Sequence, residues 1–128
     1  STEINKNTKN PVICILPEQE KIKKKGGTMR LGSYKAILKN GVVKDLYKED
    51  VAFERHRHRY EVNPEYHKIL QEHGMIFSGT SEDERLVEFI ELRDKRFHIA
   101  TQSHPELKSS LKNPAPLFYG LVKACLGK

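Results

Sequence analysis

Residues 54–61 read ERHRHRYE, and residues 55–62 alternate in residue type with a period of two. That is the period of a β-strand, whose successive side chains leave opposite faces. On such a strand Arg55, Arg57 and Arg59 share one face, and His56 and His58 share the other. Three guanidiniums in a row repel one another unless anions lie among them. One reading is a carboxylate or phosphate site, because a guanidinium offers a planar two-bond fork. The other is a solvated strand face partnered by Glu54 and Glu61. His56 and His58 have the spacing of a metal pair, but no third ligand is indicated, so no metal site is assigned.

Working outward, Asn63 suits a helix N-cap and Pro64 its first turn, which predicts a helix over Pro64–His73 stopped by Gly74. Residues 75–79, 86–92 and 97–101 are apolar and strand-like, the first two joined by the polar turn Ser81–Glu84. Leu117, Phe118, Leu121, Val122 and Cys125 have helical spacing and predict an amphipathic helix over residues 114–126 that closes the domain. Upstream, residues 45–48 suit a single helical turn. Residues 28–38 read as an extended segment in which Gly32 marks a bulge or a close backbone approach. Residues 11–16, PVICIL, read as one buried strand, and residues 1–10 as a polar, mobile leader. The outcome is mixed α/β with several antiparallel connections. The helices are few and short for the strands, so a sheet face is expected to lack cover and to expose an apolar patch.

The chain has 128 residues, room for one domain or part of one, and a net charge of +6 that favours anionic partners. Cys14 and Cys125 form no CxxC pair, so a zinc ribbon or disulfide framework is not indicated; both read as reduced core residues. No apolar run approaches the roughly 20 residues of a membrane span. No signal-peptide pattern opens the chain.

Two further stretches carry chemistry. SHPE, residues 103–106, follows the apolar strand at 97–101. A histidine just past a strand end faces a cleft, and Pro105 stiffens its geometry to Glu106. A carboxylate there selects the imidazole tautomer and stabilises the imidazolium, which makes His104 and Glu106 two members of a nucleophile–base–orienter set. The alternative is a surface histidine beside a helix start. GGTMRLG, residues 26–32, offers backbone N–H groups beside Thr28 and Arg30 to a phosphate, or is a plain loop entering a strand. It lacks the ending of a Walker loop.

Together these stretches resemble the CTP synthase family, in the second half of its class I glutamine amidotransferase domain. The matches run in order: STE at the start, GGTMRLG, ERHRHRYEVN, FSGTS at 77–81, LVEFIEL at 86–92, ATQSHPE at 100–106 and PLFYGLVKA at 116–124. The resemblance implies a flavodoxin-like α/β domain with a mixed sheet and short helices. It implies a Cys-His-Glu triad that releases ammonia from glutamine for ATP-dependent amination of UTP to CTP. His104 and Glu106 fall on the triad, Arg59 on the residue that grips the glutamine carboxylate, and Thr28 and Arg30 on the segment that answers GTP. The chain itself is expected to hold no cofactor; ATP with Mg2+ and the activator GTP belong to the parent enzyme, a cytoplasmic homotetramer. The cysteine elbow, the oxyanion hole and the synthase domain are expected upstream of residue 1, so the chain alone should be inactive and should need the rest of its domain as partner. Ser103 and Leu107 stand where the family usually has aromatic residues. The rival reading is a small basic module for RNA or another polyanion, resting on the charge and on Lys21–Lys25. It lacks RRM-type aromatics and a KH-type loop, so nucleic acid is not the expected partner.

Overall fold

The computed structural model describes residues 1–16 and 29–127. Seven strands and three short α-helices follow in order: β1 (Ile13–Cys14), β2 (Arg30–Leu38), α1 (Val42–Tyr47), β3 (Val51–His58), β4 (Glu61–Val62), α2 (His67–Glu72), β5 (Ile76–Thr80), β6 (Val87–Glu91), β7 (Ile99–Thr101) and α3 (Pro116–Cys125). Single 3-10 turns at Pro64–Tyr66 and Pro105–Leu107 precede α2 and follow β7.

β3 keeps the alternation read from the sequence. Ala52, Glu54 and His56 are buried, while Phe53, Arg55 and Arg57 are exposed. β3 pairs antiparallel with β2 in an unbroken register from Arg30 opposite His58 to Ile37 opposite Val51. The strand does not run on to Val62. It stops at His58, and Glu61–Val62 pairs instead with Ile13–Cys14 as a separate two-stranded sheet. The buried strand predicted over residues 11–16 therefore shrinks to two paired, half-buried residues, because its partner is no longer than that; Leu16 alone is buried. Residues 1–10 form turns, and Thr2 N–H donates to the Ile13 carbonyl at 2.9 Å.

The main sheet has the order β3-β2-β5-β6-β7, and every described pairing is antiparallel. The mixed sheet expected from the resemblance is corrected on this point. β5–β6 and β6–β7 are joined by short links that return the chain antiparallel, and β2–β3 by residues 39–50, which include α1. Gly32 has φ +103° inside the unbroken β2–β3 ladder, and a Cβ there would meet nothing within 4 Å. It serves backbone conformation rather than a bulge or a close approach. Gly79 is the close approach: a Cβ would lie 2.5 Å from the Phe89 ring.

Ala36, Leu38, Val43, Ala52, Phe89 and Leu117 form the core, with Leu46, Tyr47 and Ile99 against it. α1 starts three residues before the predicted turn because Glu91 caps it, accepting from Val42 N–H at 3.0 Å and Val43 N–H at 2.8 Å. The helix predicted over Pro64–His73 divides: Asn63 Oδ1 accepts from Glu65 N–H at 3.1 Å and caps the 3-10 turn Pro64–Tyr66, α2 proper starts at His67 without a side-chain cap, and Gly74 takes φ +90° beyond its end. α3 turns Leu117 and Gly120 inward and leaves Phe118, Tyr119, Leu121 and Val122 exposed. Cys125 lies off the inward stripe and is exposed, and Cys14 is half-buried, so neither is the core residue predicted. The exposed apolar surface thus sits on α3 more than on the sheet, whose outer β2–β3 face mixes Leu31 and Phe53 with Lys35, Arg55 and Arg57. Among the described residues no helix is long and apolar enough to cross a membrane.

β2 and β5 share only Ile37–Thr80 and Leu38–Gly79. The Arg30 end of β2 therefore splays away from β5, and polar side chains fill the opening. This splay positions the site.

Candidate functional site

After β7 the chain crosses to the free edge of β3. Gln102 N–H extends the β6–β7 ladder to the Glu88 carbonyl at 3.2 Å. Ser103, which stands where the family usually has an aromatic residue, is buried and closes on Thr101 with a 2.6 Å hydroxyl pair. Leu107, the other departure, is exposed. His104 N–H donates to the Arg55 carbonyl at 2.7 Å, and Pro105, buried, starts the 3-10 turn. Lys108 then bonds the Phe53 carbonyl and lies 3.8 Å from the Glu54 carboxylate. The turn is fastened to β3 at both ends.

Between these fastenings His104 Nδ1 and Glu106 Oε1 lie 2.7 Å apart. The His104 hydrogen bond holds the Glu106 carboxyl below its ordinary range, helped by its own backbone N–H and by the charge of Arg57. An ionised carboxylate only accepts, so Nδ1 carries the proton and donates. The Nε2 lone pair is left outward, and among the described residues it makes no hydrogen bond. An imidazole oriented in this way is a base awaiting an acidic partner. Glu106 also borders an apolar cleft of about 330 Å³ between β7 and α3.

The three arginines do not share one face. Arg55 and Arg57 are exposed on β3, whereas Arg59 is half-buried in the link to β4. Glu54 and Glu61 are not partners on a solvated face, for both are buried. Glu54 accepts from the Tyr47 hydroxyl at 2.8 Å, and Glu61 from Gln102 Nε2 at 2.9 Å.

Arg30 turns inward. It is 8% exposed, and its guanidinium lies 2.7 Å from Glu88, 3.5 Å from Glu61 and 4.5 Å over the Tyr34 ring. Burial works against its charge, but the two carboxylates outweigh burial and raise its pKa. Thr28 lies outside the described residues, as does the Lys21–Lys25 run on which the basic-module reading rests.

His58 Nδ1 is 3.0 Å from the Tyr60 carbonyl, and His56 Nδ1 is 2.9 Å from His58 Nε2. Burial first, then Arg30, His58 and His104, push His56 down to about 3; burial likewise lowers His58. The two rings are bonded to each other, and no cluster of three or more metal-ligating groups occurs among the described residues. Glu88 and Gln102 were not singled out from the sequence, and Glu61 was read only as a partner of the arginine face. A signal for Glu88 existed: it stands between Val87 and Phe89 in an apolar strand, where a carboxylate needs partners.

The profile of the glutamine amidotransferase class-I family matches residues 4–124. The chain is 59% identical over 129 residues to a CTP synthase of Methanocaldococcus jannaschii and 62% identical over 132 residues to one of Methanococcus aeolicus. These alignments cover all of this chain and 24% of each relative, so the chain spans about a quarter of the length of the curated relatives it matches. A solved Trypanosoma brucei CTPS glutaminase domain with bound acivicin superposes with a TM-score of 0.89 at 32% identity, covering all of this chain and 50% of that one. The chain belongs to the class-I glutamine amidotransferases and matches the glutaminase domain of CTP synthases.

Proposed function

We propose that this chain supplies the histidine and glutamate of a Cys-His-Glu triad that hydrolyses glutamine, and that the ammonia released serves ATP-dependent amination of UTP to CTP. The observation that carries this reading is the 2.7 Å contact between His104 Nδ1 and Glu106 Oε1. His104 Nε2 takes the proton of a cysteine thiol as the thiolate attacks the glutamine side-chain carbonyl. It then returns that proton to the departing ammonia. Glu106 keeps the tautomer and stabilises the imidazolium between the two steps.

The nucleophile comes from the rest of the domain. Cys14 lies in the two-residue strand β1 and Cys125 at the exposed end of α3, and neither has the sharply turned setting of an activated thiol. The chain alone is therefore inactive and works as a portion of a complete amidotransferase domain joined to a synthase domain, in a cytoplasmic homotetramer. Arg59 grips the glutamine carboxylate with a two-bond fork. Thr28 and Arg30 belong to the segment that answers GTP, and ATP with Mg2+ is used in the synthase domain.

The test is a split in nitrogen donor. With the chain joined into a protein of the relatives' length, His104→Ala lowers glutamine-dependent CTP formation by at least about a hundredfold. Synthesis from free ammonia survives, because ammonia bypasses the triad. Loss of both would assign His104 to the fold instead.

A further inference from the structure

Beneath the site lies a buried cluster in which Arg30 meets Glu88 and Glu61, two carboxylates that none of these steps uses. We propose that Glu88 is a positioning residue for glutamine hydrolysis: its buried carboxylate holds Arg30, and through Arg30 and Glu61 it is joined to Gln102, two residues before His104. This rests on the triad reading and names a residue that acts through it.

Three segments converge on Glu88, which is 1% exposed. Its Oε1 accepts from Arg30 at 2.7 Å, at the start of β2 and directly after the Thr28 segment. Its backbone carbonyl accepts from Gln102 N–H at 3.2 Å, two residues before His104. Its Oε2 lies 3.6 Å from His56 Nε2, and the His56–His58 pair leads to the Tyr60 carbonyl, the neighbour of Arg59. Glu61 closes the ring, taking Gln102 Nε2 at 2.9 Å on one oxygen and facing Arg30 at 3.5 Å with the other.

Proton directions follow from the carbonyl. A carbonyl cannot donate, so His58 Nδ1–H donates to Tyr60 and His58 Nε2 accepts from His56 Nδ1–H. His56 Nε2 is then a lone pair, and it faces Glu88 Oε2, an oxygen with no hydrogen-bond partner among the described residues. Two buried acceptors in apposition are unfavourable, and an apolar filling would hold the sheet at least as well. What the cluster adds is direction. Arg30 and Gln102, which come from different segments, are fixed on Glu88 and Glu61 by charge and by donor geometry, and apolar contacts do not specify such angles.

The experiment is Glu88→Gln in the complete protein, which keeps the volume and removes the charge. Glutamine-dependent turnover is expected to fall about tenfold or more, with a raised KM for glutamine, while synthesis from ammonia is unchanged; a tenfold loss follows from a displacement well under 1 Å at reacting atoms. Should that variant not fold, Glu88→Asp keeps the charge on a shorter arm and is expected to show the same split at smaller size. Arg30→Met combined with Glu88→Gln should lose no more glutamine-dependent turnover than the worse single variant, since the two act as one unit. Equal losses with glutamine and ammonia, or wild-type glutamine kinetics in both Glu88 variants, would overturn the proposal. A complete wild-type protein that releases no glutamate from glutamine would instead overturn the triad reading beneath it.

Discussion

His104 and His56 are opposite uses of one side chain. His104 is half-buried, with a carboxylate on one nitrogen and no hydrogen bond on the other among the described residues, the arrangement of a group that takes a proton and gives it back. Glu106→Gln keeps the shape and removes the charge that fixes the tautomer. In the complete protein it is expected to lower glutamine hydrolysis by about a hundredfold or more. Direct titration of the Glu106 carboxyl should show a midpoint below 4.5, moved upward by Arg57→Ala. His56 is buried and stays neutral down to about pH 3, against 6.5 for a free side chain. Between those values the unfolded chain binds the extra proton and the folded chain does not, so stability falls as pH drops from about 6.5 towards 3. His58 acts in the same direction. Urea midpoints measured across this window should fall with pH, and His56→Gln should flatten the slope; a slope unchanged by the substitution would assign it to other groups.

Helix signals were legible where they are local. Asn63 and Gly74 bracket the 3-10 turn Pro64–Tyr66 and α2 together, although the α-helix proper begins only at His67. α1 was misplaced because its cap, Glu91, comes from 49 residues further along, and no window on residues 41–48 contains it. The same distance rule governs the strands. The period of β3 was plain, but its end at His58 depends on Glu61 leaving to pair with β1. Glu91→Ala should strip Val42 and Val43 N–H of their acceptor and lower stability by about 1–2 kcal/mol. Chemical denaturation checks this, with helix loss confined to α1. Gly79→Ala drives a methyl into the Phe89 ring and should cost about 1–3 kcal/mol. A variant as stable as wild type would mean that the ring has room to turn.

For the molecule as a whole, motif order along the chain identified the family correctly, and His104 and Glu106 came together as the spacing asked. The resemblance led to a mixed sheet, whereas every pairing among the described residues is antiparallel. Arg30 illustrates why a site residue is hard to place from a motif. GGTMRLG suggested an outward cation, yet two carboxylates, 31 and 58 residues away in sequence, draw it inward. The fastening of residues 104–108 along β3 has a consequence of a different kind. β3 is the last strand of its sheet, and its outer backbone would otherwise be an open template for another chain. The turn that carries the proposed base and its carboxylate blocks part of that template, with His104 N–H and the Lys108 ammonium occupying two of its carbonyls. The chemistry-bearing turn is therefore also a guard against aggregation. Replacing residues 104–108 with a flexible glycine-serine stretch should make the chain self-associate as its concentration rises, seen as growing light scattering, and Lys108→Met should do so more weakly.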